Sequence, residues 1–323
     1  MLTPPWYPDH ANPLICTDDQ SPQPATVPSV RIFQMAGPEG PRTVLVVGEG
    51  LLGGALVERL GRRNPNAERH VATDWTAPAS ALGADAIHLS DGLEPGSSTE
   101  IFWTAGTAGM QLPSFDPTDY RTTFAQRIEA VSSAMAERGA SVRLHLASSA
   151  GALGSLQPSR RGVMPASPYA ERKAIEEDVV LHADAANRVY RIASAYGAPT
   201  RSRRAGVIGL LLQNALLGRE TELFARPSTM RNYVHHHDVA EAMLRSLDAS
   251  TEPTLLLASQ RSHAMSEVLA EVSRVVRRAV PVIHRPPAND HDMVFDPAET
   301  SPLLPQRSLA AGVRATYDTL LSR

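Results

Sequence analysis

Val44-Leu45-Val46-Val47-Gly48-Glu49-Gly50-Leu51-Leu52-Gly53-Gly54-Ala55-Leu56-Val57-Glu58-Arg59-Leu60 is the stretch whose reading decides the fold. Its first four residues form an unbroken apolar run, the pattern of a parallel strand covered on both faces. Its last six repeat with helical period. Between them stands G-x-G-x-x-G. Glycines there permit a tight turn and close backbone approach to a pyrophosphate, and the helix N-terminus offers its amides to the same anion. This order predicts a doubly wound α/β domain that holds a dinucleotide on Gly48, Gly50, Leu51, Leu52 and Gly53.

The segments that follow extend the same architecture. His70-Val71-Ala72-Thr73 reads as a second strand and ends in Asp74, a carboxylate able to bind the adenosine ribose and to favour NAD. Arg62, Arg63 and Arg69 lie close in sequence and keep NADP open. Asp85–Leu89 and Glu100-Ile101-Phe102-Trp103 read as further strands. The latter runs into Thr104-Ala105-Gly106, small enough for a cofactor to lie over Ala105 and Gly106. A helical pattern covers residues 119–138. Val142–Leu146 is another strand, closing into Ala147-Ser148-Ser149-Ala150-Gly151 at the sheet edge where such folds bind ligands.

Ser167-Pro168-Tyr169-Ala170-Glu171-Arg172-Lys173 holds the only lysine of the chain; the other thirty of its 31 basic residues are arginines. A guanidinium stays charged and planar, so it cannot replace a compact ammonium whose pKa is tuned by its surroundings. At i and i+4 on a helix, Lys173 stands on the face of Tyr169 and favours its phenolate. Tyr169 is thus a candidate general acid/base.

Val189–Gly197 reads as one buried strand and a turn, Val207–Leu217 as a leucine-rich helix, and Arg231–Val239 as a segment entering an amphipathic helix. His235-His236-His237 lacks the alternation and the further partner that a metal site needs, so no metal is assigned; Asp238 reads as a helix cap. Strand 254–257, helix 265–278, strand 280–283 and a last helix from Leu309 complete the chain. Residues 1–42 hold nine of the 26 prolines and show no sustained apolar period. They read as a flexible extension, with Met35 as a second possible start.

Composition narrows the functional classes. A net charge of −3 gives no basic field for nucleic acid or an anionic membrane. The single cysteine, Cys16, excludes an internal disulfide and a cysteine zinc cluster and fits a reducing compartment. No leader and no apolar run long enough to span a bilayer is evident, so a soluble cytoplasmic protein is expected.

Gly48/Gly50/Gly53, Ser149–Gly154, Tyr169-x-x-x-Lys173, Arg191–Gly197 and Arg231–Asp238 together resemble the extended short-chain dehydrogenase/reductases, in particular their NAD-dependent nucleotide-sugar epimerase and dehydratase group. The resemblance spans residues 43–323. It implies a Rossmann-type sheet in residues 43–196 and a smaller substrate lobe in 197–323, with about 231–257 returning to the first domain. It implies that Ser149 bonds the substrate oxygen, Tyr169 transfers the proton, and Lys173 holds the nicotinamide ribose. Asp74 and Ala193 would line the cofactor, and Ser194 and Arg231 the nucleotide sugar. Two helices, 119–138 and 168–184, would pair across a homodimer. Ala150-Gly151 stand where sugar 4,6-dehydratases carry an Asp-Glu pair, which argues against dehydration. The function expected is an NAD-dependent epimerase acting at C4 through a keto intermediate. The alternative is an NAD(P)H-dependent ketoreductase, and a third reading is a non-catalytic dinucleotide-binding protein.

Overall fold

A computed structural model describes residues 29–38, 40–64, 68–72, 97–106, 115–137, 141–150, 168–198, 205–249, 252–286 and 292–322. Strand β2 (Gly40–Val47) shows why its apolar run needs no polar alternation. Val44 and Val46 pack on one face with Leu56, Leu60 and Met243. Leu45 and Val47 pack on the other with Phe124, Ile128 and Val131. A strand sandwiched between two helical layers must be apolar on both sides.

The layers are built by helices α1 (Leu51–Arg63) and α5 (His236–Ala249) on one face, and α2 (Pro117–Ala136) and α3 (Pro168–Ala183) on the other. The sheet also contains β1 (Ser29–Gly37), β3 (Glu68–Ala72), β4 (Ser98–Trp103), β5 (Ser141–Ser149), β6 (Arg188–Ile192) and β10 (Thr254–Leu257). Its order is β10-β6-β5-β4-β2-β1-β3. The first five of these are mutually parallel. β2 and β4 end level, Val47 opposite Trp103, while β5 runs past them from Leu146 to Ser149, which is opposite Ile192 and, through it, Leu257 at the ends of β6 and β10.

Strand β1 corrects the expectation of a flexible extension through residue 42. Among the described residues a strand already occupies Ser29–Gly37, ahead of Thr43. β1 pairs antiparallel with β2 on one side and with β3 on the other. Val30, Ile32 and Phe33 are all buried. Arg31 and Gln34 interrupt its apolar residues, so neither an unbroken apolar run nor a sustained period marks the strand in the sequence.

The run 189–197, expected as one strand, divides in two. Ala193 N still donates to Leu257 O at 3.0 Å, after which β7 (Ser194–Tyr196) leaves the main sheet. β7 pairs with β9 (Met230–His235), which pairs in turn with β11 (Ser262–Ala264). The second core forms around α4 (Gly206–Leu217), α6 (Met265–Val276) and α7 (Leu309–Leu321), with Ile208, Leu212, Val268, Val272 and Val313 fully enclosed. β8 (Thr221–Leu223) and β12 (Val282–His284) make a small parallel pair beside it. Asp238 lies inside the first turn of α5, where Arg307 holds it by two bonds of 2.7 and 2.8 Å. It ties α5 to the segment entering α7 and does not cap the helix. Among the described residues no helix is long and apolar enough to cross a membrane.

Candidate active site

The glycine turn is shaped by contacts that leave no room for a side chain at two positions. Gly48 has φ +88°, and a Cβ there would stand 2.6 Å from Ala105 Cα. A Cβ on Gly53 would fall 1.8 Å from Gly48 O. Thr104 fastens the turn to β4, its hydroxyl 2.6 Å from Gly48 O and 2.9 Å from Val47 O. Gly50 behaves differently: a Cβ there meets nothing within 4 Å, and the same holds for Gly106. The turn is therefore closed underneath and open above. Gly50 caps α1 without a side chain, and no acidic residue stands in the helix's first turn. Its amides are left facing that opening, the arrangement that attracts phosphate.

Across the sheet edge, β5 ends in Ser148 and Ser149. The two serines have different surroundings. Ser148 is buried and donates to Glu177 Oε1 at 2.5 Å. Ser149 is half-buried, opposite Ile192 of β6. Helix α3 opens with Pro168 at its first position, where a missing amide costs nothing. That puts Tyr169, half-buried, in the first turn and Lys173 one turn on.

Lys173 reaches the sheet. Its Nζ lies 3.3 Å from Ala147 O, two residues before Ser149, and donates to Glu176 Oε2 at 2.7 Å. Burial opposes the ammonium, but Glu176 and the neighbouring Tyr169 outweigh it and hold its pKa above the usual lysine value. Glu176 also accepts from Tyr120 Oη at 2.6 Å, and Arg172 stacks 4.2 Å over the Tyr120 ring. Burial first, and then the Glu176 charge, push the Tyr120 phenol up, so it stays protonated. Glu177 takes two bonds from Arg191, Nε at 3.1 Å and the terminal nitrogen at 2.8 Å. Glu176, Glu177 and Tyr120 were not singled out from sequence. The i, i+3 and i, i+4 spacing of the two glutamates from Lys173 was the available signal.

The other expected residues fall at the same edge or in the neighbouring small sheet. Ala105 and Gly106 follow β4 beside the turn. Ala193 is the crossing point between the two sheets, and Ser194 on β7 pairs with Tyr233. Arg231 lies two residues before Tyr233 on β9, half-buried, with one terminal nitrogen on Met230 O at 3.0 Å. Asp74 and the Asp85–Leu89 strand lie outside the described residues. His235 is buried and neutral, its pKa pushed down to about 2 by burial and then by its charged neighbours. Among the described residues no three His, Cys, Asp or Glu side chains are grouped to hold a metal.

The profile of the NAD dependent epimerase/dehydratase family matches residues 44–255. The chain belongs to that family. No curated protein gives a sequence match. Among solved structures, this epimerase/dehydratase chain is similar to UDP-glucose 4-epimerase of Thermus thermophilus in complex with NAD. The two share 22% identity and a TM-score of 0.64 over 85% of this chain and 97% of that one. It is also similar to UDP-N-acetylglucosamine 4-epimerase of Methanobrevibacter ruminantium, at 17% identity and TM-score 0.67 over 86% and 97%. A third similar structure is RMD of Pseudomonas aeruginosa complexed with NADPH, at 19% identity and TM-score 0.69 over 87% and 99%. At these identities the likeness is one of fold.

NAD, the cofactor of the family, suits the cradle found here. The openings over Gly50 and Gly106 admit a dinucleotide backbone, and the uncapped α1 amides supply donors for its pyrophosphate.

Proposed function

We propose that this enzyme is an NAD-dependent nucleotide-sugar epimerase acting at C4. The observation that carries the reading is the seat of the sole lysine. Lys173 lies one helical turn from Tyr169, and its Nζ rests against Ala147 O, which is two residues before Ser149 at the end of β5.

In this reading Tyr169 takes the proton of the sugar hydroxyl and returns it after the carbon has inverted. Ser149 donates to the same oxygen and holds it in line. Lys173, kept charged by Glu176, stands one helical turn from Tyr169 and offers its remaining hydrogens to a ribose hydroxyl. Bound NAD supplies the hydride acceptor and donor. Gly48, Gly50, Leu51, Leu52, Gly53, Ala105, Gly106 and Ala193 line its course. Arg231 meets the diphosphate, for which a guanidinium fork is well shaped. Ser194 borders the sugar. Inversion requires the keto sugar to present its other face without leaving, so the diphosphate anchor at Arg231 and the reacting end at Tyr169 must act on one bound molecule. Two chains are proposed to pair through the outer faces of α2 and α3, in the cytoplasm.

The test begins with denaturing the purified protein and identifying any released nucleotide by mass spectrometry. The protein is then incubated with UDP- and dTDP-sugars, and the products are separated. Retained NAD with interconversion of C4 epimers supports the proposal. An empty protein that consumes NADPH with a ketone would replace it with the ketoreductase. Retained NAD with no turnover on any sugar would favour a non-catalytic binding role.

A further inference from the structure

Strand β1 changes which residues border the adenosine half of the cofactor. In a doubly wound sheet, the carboxylate that reads the adenosine ribose follows the strand beside the glycine-turn strand. Here the neighbour of β2 on that side is β1, running the opposite way. β3, the strand that leads toward Asp74, lies one place further out, roughly 9–10 Å from β2 at ordinary strand spacing.

What β1 brings to the end of β2 is its own beginning. Val30 is opposite Val47 and Arg31 opposite Val46. From there Arg31 Nε donates to Glu49 Oε1 at 2.9 Å, with side-chain exposures of 11% and 9%. Glu49 is the residue between Gly48 and Gly50, in the turn that opens toward the cofactor. A carboxylate is thus already present at the cradle, nearer to β2 than the end of β3, and oriented by a strand that the usual sheet order lacks.

We propose that Glu49, held by Arg31, reads the adenosine ribose and sets a preference for NAD over NADP. The inference rests on the dinucleotide-binding part of the function proposed above. The carboxylate accepts from the ribose hydroxyls, while Arg31 fixes its orientation and offsets the cost of burying it. A 2′-phosphate would meet the same carboxylate at close range in a poorly hydrated place, where like charges repel strongly.

Nucleotide-free, full-length protein would be titrated with NAD and with NADP by calorimetry, beside E49Q, the double variant R31Q/E49Q and D74N. The wild type is expected to prefer NAD by about tenfold or more, the scale of one charge-assisted hydrogen bond. E49Q should weaken NAD by about tenfold and bring the two affinities together, because the hydrogen bond and the repulsion vanish at once. R31Q/E49Q removes both charges of the pair and should lose discrimination in the same way; it carries the test if E49Q folds poorly. D74N should keep the wild-type ratio within about twofold. Loss of discrimination in D74N, with E49Q and the double variant unchanged, would overturn the inference while leaving the dinucleotide reading intact. A wild type that binds neither nucleotide would overturn both.

Discussion

Lys173 and Glu176 form an ion pair of 2.7 Å one helical turn apart, in a place where each side chain keeps about a tenth or less of its surface exposed (11% and 7%). The ammonium bridges helix α3 to the last residues of β5, and the carboxylate bridges it to Tyr120 of α2. The sole lysine thus serves the packing of three elements as well as the chemistry proposed for Tyr169.

Replacing Lys173 separates those duties. K173M should lower turnover by about a hundredfold or more, the range of a lost acid/base partner. K173R should rescue little of it, because a planar guanidinium cannot repeat the compact contacts with Ala147 O and Glu176. Steady-state kinetics on the sugar identified above would check both. Turnover unchanged in K173M would remove the proposed mechanism.

E176Q should destabilise the protein by about 3 kcal/mol near neutral pH, because it strands a buried ammonium. The pH dependence is more telling. In the wild type the lysine pKa is raised on folding, so its contribution is complete below the unfolded value near 10.4 and fades as pH rises through the folded one. In E176Q burial is no longer outweighed, the folded pKa drops, and that part of the stability curve should rise with pH instead. Urea unfolding of both proteins between about pH 8 and 11 would reveal the opposite slopes.

A second buried network predicts sensitivity to acid. His145 Nε2 lies 2.8 Å from Glu100 Oε2, and its Nδ1 lies 2.7 Å from Tyr190 Oη, which is 2.6 Å from Ser246 Oγ. Burial dominates at His145 and lowers its pKa, so the ring is neutral. At Glu100 burial is outweighed by the bond from His145 and by the charges of Arg143 and Arg42, so its pKa is lowered too. For both groups the unfolded chain binds protons more readily than the folded one. Stability should therefore fall as pH drops below the ordinary histidine value near 6.5, and fall further through the carboxylate range. H145Q should cost about 1–3 kcal/mol at pH 7 and flatten the upper part of that fall. Equal slopes in the two proteins would show that His145 is not the titrating group.

The glycine turn offers a contrast between fold and ligand. G53A drives a methyl into Gly48 O and should lower the melting temperature by several degrees, since the obstacle is backbone. G50A meets no protein atom and should melt within about 2 °C of the wild type. Its methyl projects into the opening where the dinucleotide is expected, so NAD affinity should fall by about tenfold. A G50A protein that binds NAD normally would mean the cofactor does not pass over Gly50.

What was legible in the sequence follows the strength of each local signal. Val44–Leu60 announced its strand, turn and helix because both faces of β2 are covered and glycine is obligatory beneath the turn. Tyr169 and Lys173 were legible from spacing and from the rarity of lysine. The division of 189–197 was not, because β6 and β7 are equally apolar and only their partners differ. Nor was β1, whose few apolar residues gain meaning from two neighbours distant in sequence. Glu176 and Glu177 looked like an ordinary charged helix surface. Their importance comes from Lys173, Ser148 and Arg191, which meet them only after folding.

The place of β1 also bears on where a working polypeptide can start. A product beginning at Met35 would lack Val30, Ile32 and Phe33, which are 1%, 3% and 0% exposed. β3 pairs with β1 alone among the described residues, so it would be left without a neighbour, and β2 would show a bare apolar edge. Such an edge recruits strands from other molecules. N-terminal trimming past Ser29 would accordingly send the product toward aggregation, which makes β1 a solubility determinant for anyone choosing where to begin expression.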